Sequence, residues 1–227
     1  MATQLATALP VYRLDADTCR RLVEDGALEG IDVELLDGLL VDRVGNGEPR
    51  LHQLDVDTYN RMVLTGALDG LHIELLDGLL VEMSPISPAH TAVVTRLMRH
   101  FAAAPRWWTQ VQSPLELWPR SELEPDMLIA AHEPPPGEHL RGALLAIEVA
   151  VSSHRADRGR KVALYAHAGI PTYWLIDVPG RAVEVRTHPG PDGYAFCETH
   201  REGALVRSPL AGVDDLDVTA LLAGVAG

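Results

Sequence analysis

Cysteine is scarce in this chain, and so are long apolar runs. Two cysteines, Cys19 and Cys197, are too few for a multi-bridge disulfide framework or for a zinc site made of cysteine alone. No apolar run approaches the roughly 20 residues that a membrane-spanning helix needs. The start, MATQLATALPVYRLD, lacks the charged region and long apolar core of a signal peptide. We therefore expect a cytoplasmic protein without a membrane segment.

Positive charge is limited as well. The 227 residues include 19 Lys+Arg against 32 Asp+Glu, a net charge of −13, within an otherwise ordinary globular composition. A field of this sign repels nucleic acid and argues against a simple non-specific DNA-binding protein. It remains compatible with an enzyme that neutralises its own carboxylates with a metal ion. Lys161 is the only lysine in the chain, which draws attention to its position.

The chain contains an internal repeat at an offset of forty residues. Residues 14–42 (the first copy) and residues 54–82 (the second copy) are identical at well over half of their positions. Each copy is typical of a short helix followed by a hairpin around an Asp-Gly turn. Asp17 or Thr18, and likewise Asp57 or Thr58, can cap the helix start, and Gly26 or Gly66 suits its end. The segment VGNGEPR (44–50) reads as a linker between the copies.

The rest of the chain alternates apolar strands with helices. Ser87 and Pro88 open a predicted helix that has His90, Val94, Leu97 and Phe101 on one face, and a strand is predicted over 109–118. The segments 126–130 and 143–151 are apolar enough to be central strands, and a helix follows over 157–168. Later strands and a short helix near 218–224 complete an α/β or α+β fold.

Carboxylates inside apolar strands are the informative residues. Glu148 lies among aliphatic residues, where an unpaired carboxylate is costly, and Asp126 opens the preceding strand. If these strands are neighbours, both carboxylates can bind one hard cation, Mg²⁺ or Mn²⁺. The alternatives are that Asp126 only caps a turn and that Glu148 pairs with an arginine.

Lys161 shares a helix stripe with Leu164, Tyr165 and Ala168, the face expected to pack on the sheet. A lysine near metal-binding carboxylates can orient an attacking water or stabilise charge on a phosphate. The alternative is a lysine that extends to solvent at the helix edge.

Two further residues have both a structural and a functional interpretation. Glu74 lies among apolar residues of the second hairpin, and Glu34 is its counterpart in the first copy. Glu74 can complete a metal shell or simply face solvent. His90 lies in the first turn of an apolar helix face, where we interpret it as a core histidine.

Several segments in this order and spacing resemble the Uma2 family, a family of predicted bacterial endonucleases in the PD-(D/E)XK, or restriction-endonuclease-like, superfamily. These segments are ELLDGLLVEMSPISPAH, ELEPDMLIA, AIEVAVSS, DRGRKVALYAHAGIPTYWLIDV and AVEVRTH. The resemblance covers about residues 54–187. It implies a mixed central sheet flanked by helices.

The resemblance also implies residue roles. Asp126 matches the first metal-binding aspartate, Glu148 the second acidic ligand, and Glu74 the glutamate of the first hairpin. Ala150 stands where the superfamily usually has a lysine, and Lys161 on the following helix matches the lysine of this family. These residues would bind Mg²⁺ or Mn²⁺ and form a phosphodiesterase centre.

The sequence leaves two functional hypotheses. One is a Mg²⁺- or Mn²⁺-dependent endonuclease that hydrolyses DNA; the other is a catalytically inactive interaction or regulatory module that keeps the fold. We expect residues 1–50 to form an accessory element and residues 51–227 the nuclease-like domain. A homodimer is also expected, because small nucleases of this fold often pair to address two strands and two-fold dimers are the commonest closed assemblies.

Overall fold

A computed structural model describes residues 9–43, 47–151 and 155–225, and the side chains of 155–158 lie outside the described residues, as does the middle of the predicted linker. The chain forms two compact units. The first unit contains residues up to Ser84 together with Glu116–Leu123, and the second contains the rest. No helix in the described part has the length and apolar character of a membrane span.

The first unit contains the two copies. Each copy is a helix followed by a hairpin, and a short strand lies between the copies. The elements are α1 (Ala16–Glu24), β1 (Val33–Leu36), β2 (Leu39–Asp42), β3 (Arg50–Leu51), α2 (Val56–Leu64), β4 (Ile73–Leu76) and β5 (Leu79–Glu82). Strands β7 (Leu115–Leu117) and β8 (Ser121–Leu123) join the second hairpin in a sheet of order β5-β4-β8-β7.

Both hairpins turn at an Asp-Gly pair, as predicted. Asp77 and Gly78 have φ angles of 50° and 80°, and their counterparts Asp37 and Gly38 have 49° and 77°. Two successive positive φ angles define the turn that matches the twist of the flanking strands. A Cβ on Gly78 would also lie 2.8 Å from the Gln53 side chain, so glycine is required there for space as well.

The predicted N-caps, Asp17 or Thr18 and Asp57 or Thr58, were wrong by two or three residues. The N-caps are Asp15 and Asp55, whose carboxylates each accept the backbone N–H of the threonine three residues later, at 2.7 Å. Both caps leave Asp17 and Asp57 free to add negative charge to the first helical turn.

The second unit is built on one mixed sheet of order β13-β12-β11-β10-β9-β6. Its strands are β6 (Trp108–Gln110), β9 (Met127–Ala130), β10 (Leu145–Ala150), β11 (Thr172–Asp177), β12 (Ala182–Gly190) and β13 (Gly193–Arg201). Strands β14 (Leu205–Val206) and β15 (Leu216–Asp217) pair separately. The helices are α3 (Pro88–Ala102), α4 (Arg155–His167) and α5 (Val218–Leu222).

The prediction of a single strand over 109–118 was wrong. Gln112 has a positive φ of 47°, and the chain breaks there into β6 and β7, which belong to different sheets. Glutamine is not a residue that signals such a turn, so the alternating pattern across it was misleading.

Helices cover both faces of the second unit's sheet. On one face, Val94, Leu97 and Phe101 of α3 pack in a cluster with Ile147 and Trp174, and α5 joins the same cluster. On the other face, Tyr165 of α4 stacks on Tyr173 of β11. Strands β10 and β11 are parallel, and α4 connects them. The α/β fold class with a mixed sheet and flanking helices is therefore confirmed.

Candidate active site

Strands β9 and β10 bring Asp126 and Glu148 together. They are antiparallel neighbours with Met127 opposite Ile147. Asp126 directly precedes Met127 and Glu148 directly follows Ile147, so both carboxylates lie next to the last pair of this ladder. The carboxylate Oδ2 of Asp126 accepts the backbone N–H of Val149 at 2.6 Å. The condition that the two strands are neighbours is thus met.

Asp126 follows Pro125, which has no N–H to continue a strand ladder. The Asp126 carboxylate accepts the Val149 N–H of β10 immediately before β9 begins. Its side chain is only 12% exposed. Asp126 is buried and hydrogen-bonded to β10, so it does more than cap a turn, which was the alternative from the sequence.

Glu148 contacts two residues of α4. The Tyr165 hydroxyl donates a hydrogen bond to Glu148 Oε1 at 2.7 Å, and Lys161 Nζ lies 3.8 Å from the same oxygen. The side chains of Lys161 and Glu148 are 12% and 16% exposed. Lys161 therefore lies toward the sheet and pairs with Glu148, instead of extending to solvent.

His90 approaches Asp126 from α3, on the opposite face of the sheet. His90 Nε2 lies 2.7 Å from Asp126 Oδ1, and the histidine side chain is 10% exposed. The hydrogen bond to Asp126 raises the pKa of His90 above its usual 6.5, although burial acts in the opposite direction. The negative charges of Asp126 and Glu148 raise the pKa of His90 by a smaller amount. His90 Nδ1 is buried without a hydrogen-bond partner among the described residues.

His90 and Tyr165 are the site residues that sequence reasoning missed. His90 was interpreted as a core histidine, and it is buried with Asp126 as its hydrogen-bond partner, but its position beside Asp126 was not predicted. Tyr165 was recognised only as part of the sheet-facing stripe. Its spacing of four residues from Lys161 was the available signal, because residues at that spacing lie side by side on a helix.

Glu74 lies in β4 of the first unit and is 2% exposed, whereas its counterpart Glu34 is exposed. The solvent-facing alternative for Glu74 is therefore wrong. Its predicted role as a third metal ligand beside Asp126 stays a prediction, since Asp126 belongs to the second unit. Glu116 and Glu122 are two further buried glutamates of the first unit, at 7% and 5% exposure.

The donor set fits a hard divalent cation. Within the described residues, no group of three or more His, Cys, Asp or Glu side chains is placed to hold a metal. Mg²⁺, however, is commonly held by one or two carboxylates, with waters and substrate phosphate completing its shell. Each carboxylate oxygen has two lone pairs, so Asp126 can keep its hydrogen bonds to His90 and Val149 and still bind a cation.

Comparisons with known proteins show a family by sequence and a similar fold by structure. The model of the Uma2 family, described as "putative restriction endonuclease", matches residues 56–219. A crystal structure of a "putative nuclease belonging to DUF820" from Anabaena variabilis matches with a TM-score of 0.57 at 17% identity. That match covers 66% of this chain and 89% of the other. No match was found among curated proteins.

Proposed function

The chain belongs to the Uma2 family of restriction-endonuclease-like proteins, and we propose on this premise that it is a Mg²⁺- or Mn²⁺-dependent endonuclease that hydrolyses DNA phosphodiester bonds. The observation that carries the proposal is the placement of Lys161 against Glu148, with Asp126 immediately before the adjacent strand β9 and bonded to β10. Two carboxylates and a lysine in one buried cluster are typical of metal-assisted phosphodiester hydrolysis.

The residues of the chain have separate tasks in this chemistry. Asp126 and Glu148 would hold the cation, which supplies neutralisation of the scissile phosphate and activation of water when bound. Lys161 stabilises negative charge that develops on the phosphate, because an ammonium in a site of low exposure is weakly screened. Tyr165 fixes the position of Glu148 Oε1, and His90 fixes Asp126 Oδ1.

The sheet makes this arrangement rigid. Glu148 lies in the middle of β10, between a parallel neighbour and an antiparallel neighbour. Asp126 is tied to β10 through the Val149 N–H. Sites built on strands hold their ligands more accurately than sites built on loops. We propose Glu74 as a third acidic group of the site, as the family resemblance implies.

A digestion panel tests the proposed activity. The intact chain is incubated with single-stranded, duplex and branched DNA in Mn²⁺, in Mg²⁺ and in chelator. We expect cleavage of at least one substrate with metal and none with chelator. Glu148→Gln should abolish cleavage, while Glu198→Gln, which changes a glutamate on β13 that is 77% exposed, should retain it. Equal cleavage by both variants would contradict the proposed site.

A second candidate is an interaction module that keeps the fold without catalysis. The net charge of −13 favours it, because a nuclease must bring a polyanion to its surface. Calorimetry with Mn²⁺ separates the two candidates. Heat of binding in the intact chain that disappears in Glu148→Gln supports the endonuclease, and no heat in either protein supports the interaction module. The expected homodimer stays a prediction.

A further inference from the structure

The two copies in the first unit contact each other reciprocally through their main chains. The Tyr12 N–H donates to Leu80 O at 2.8 Å, and the His52 N–H donates to Leu40 O at 2.9 Å. Adding forty to the donor and subtracting forty from the acceptor converts the first contact into the second. The same relation holds for the strand pairing of Val11 with Val81, whose counterpart is Leu51 with Val41.

Each lead-in segment therefore pairs with the hairpin of the other copy. Residues 11–12 precede the first helix but lie along β5 of the second hairpin. Strand β3 precedes the second helix but lies along β2 of the first hairpin. The two segments differ in sequence, and this is tolerated because main-chain hydrogen bonds carry the pairing.

Two arginines form a further pair of reciprocal contacts near the helix ends. Arg21 Nη2 donates to Ala67 O at 3.1 Å, and Arg61 Nε donates to Ala27 O at 3.3 Å. Each arginine belongs to one copy and caps the turn after the helix of the other. Ala27 and Ala67 are 2% and 4% exposed, so both carbonyls lie within the buried part of the unit.

Reciprocal contacts are the mark of two-fold symmetry. When residue i of one partner contacts residue j of the other, and j contacts i, the interface is isologous, as in a two-fold homodimer. Copies stacked in tandem, as in a solenoid, would make each contact in one direction only. The first unit thus has the internal organisation of a homodimer whose two halves are joined in one chain.

One apolar cluster is shared by both halves. Buried residues of the first copy and of the second copy lie in it together, and the corresponding positions hold similar side chains. The matched pairs are Leu14 with Leu54, Leu22 with Met62, Leu28 with Leu68, and Leu40 with Leu80. A second copy could replace the first without changing the character of this cluster.

We propose that the second copy carries a homodimerisation surface, and that the first copy is its covalently tethered occupant. The surface consists of the outer edge of β5, the Arg61 guanidinium and the Ala67 carbonyl. The second copy of another molecule of this chain can bind the same surface. That partner supplies Arg61 in place of Arg21, Ala67 in place of Ala27, and β3 in place of residues 11–12.

The family match supports this reading of the surface. It begins at residue 56 and leaves the first copy outside, so the matched region includes only one copy of the element. In the intact chain the surface is filled, and the chain is a monomer at this surface. Releasing the first copy exposes it to a second molecule.

The test uses the full chain and light scattering over a range of concentrations. Arg21→Glu combined with Leu22→Asp removes the arginine cap and places a charge at a fully buried position of the first copy. We expect this double variant to have twice the mass of the wild type at the same concentration. Arg20→Glu is the matched control, because Arg20 is the neighbouring exposed arginine, and it should keep the wild-type mass.

A reversal variant separates a specific dimer from aggregation. Adding Arg61→Glu to the double variant damages the exposed surface itself and should return the protein to the wild-type mass. Tyr12→Pro is a second release variant, since it removes the N–H that binds Leu80 O together with a side chain packed on the shared cluster, and it should associate further at high concentration. If both release variants keep the wild-type mass, or if Arg61→Glu leaves their association unchanged, the proposal is overturned.

Discussion

At Lys161, the ammonium nitrogen lies 3.8 Å from Glu148 Oε1 and the side chain is largely buried. Lys161→Met keeps most of the apolar stem and removes the charge. We expect DNA cleavage to fall by about 100-fold or more, the magnitude typical of losing one preorganised charge-stabilising group. Far-ultraviolet circular dichroism and a thermal melt should show a folded protein. Unchanged cleavage in this variant would remove Lys161 from the mechanism.

Tyr165 offers a separate test of how Glu148 is positioned. Tyr165→Phe keeps the ring stacked on Tyr173 and removes the hydroxyl that donates to Glu148 Oε1. Loss of a hydrogen bond that orients a metal ligand typically weakens metal binding by about 10–100-fold. Calorimetry with Mn²⁺ should show this loss. Tyr194→Phe is the control, because its hydroxyl donates only to the Ile170 carbonyl, and it should leave the affinity unchanged.

The sequence singled out three of the five residues of this network. Asp126 and Glu148 stood out because carboxylates are rare in apolar strands, and Lys161 because its stripe faces the sheet. His90 and Tyr165 did not stand out, since an imidazole or a phenol on an apolar face has the same pattern with or without a carboxylate partner. Only the packing of α3 and α4 on opposite faces identifies the partners.

At the scale of elements, the two N-caps provide a matched pair for a pH experiment. Hydrogen bonds from the Thr58 backbone N–H and hydroxyl lower the pKa of Asp55 below its usual 3.8. A lowered pKa in the folded state stabilises the protein above the usual value, and this stabilisation is lost as the pH falls through the folded value. Asp15 has the same arrangement with Thr18, and its pKa is lowered for the same reason.

We expect Asp55→Ala to lower the free energy of unfolding by about 1 kcal/mol at pH 7, the usual effect of losing an N-cap. Asp55→Asn should also be less stable than wild type at pH 7, and the difference should shrink as the pH falls below the usual value of 3.8 toward the lowered pKa of the folded state. Urea denaturation from pH 3 to 7 measures both effects. A difference between wild type and Asp55→Asn that is constant with pH would exclude the ionised cap as the cause.

Element prediction succeeded where a residue has one structural meaning and failed where it has several. The Asp-Gly pairs predicted both hairpins, because positive φ at two successive positions admits few sequences. Caps are harder, since Asp15, Asp17 and Thr18 all have suitable side chains within four residues. Gln112 is the opposite case: its positive φ has no sequence signal, so the break between β6 and β7 was not predicted.

At the scale of the whole molecule, the repeat was visible in the sequence but its arrangement was not. The same two hydrophobic patterns suit copies that stack in tandem and copies that exchange their lead-in segments. The distinction lies in main-chain bonds such as Tyr12 to Leu80 and His52 to Leu40, which leave no trace in side-chain type. The predicted boundary at residue 50 lies inside the first compact unit and stays a prediction.

Deletion of residues 1–48 tests both the predicted domain boundary and the proposed dimerisation surface. If the core begins near Leu51, the shortened chain should fold and bind Mn²⁺, because Asp126, Glu148 and Lys161 all lie in the second unit. It also loses the occupant of the second copy, and it should therefore form a dimer through Arg61 and the edge of β5. Calorimetry and light scattering measure the two properties separately. A monomer that binds Mn²⁺ would support the boundary and contradict the surface, whereas a dimer without Mn²⁺ binding would do the reverse. Adding Arg61→Glu to the shortened chain should dissociate the dimer and leave Mn²⁺ binding intact, since Arg61 belongs to the first unit.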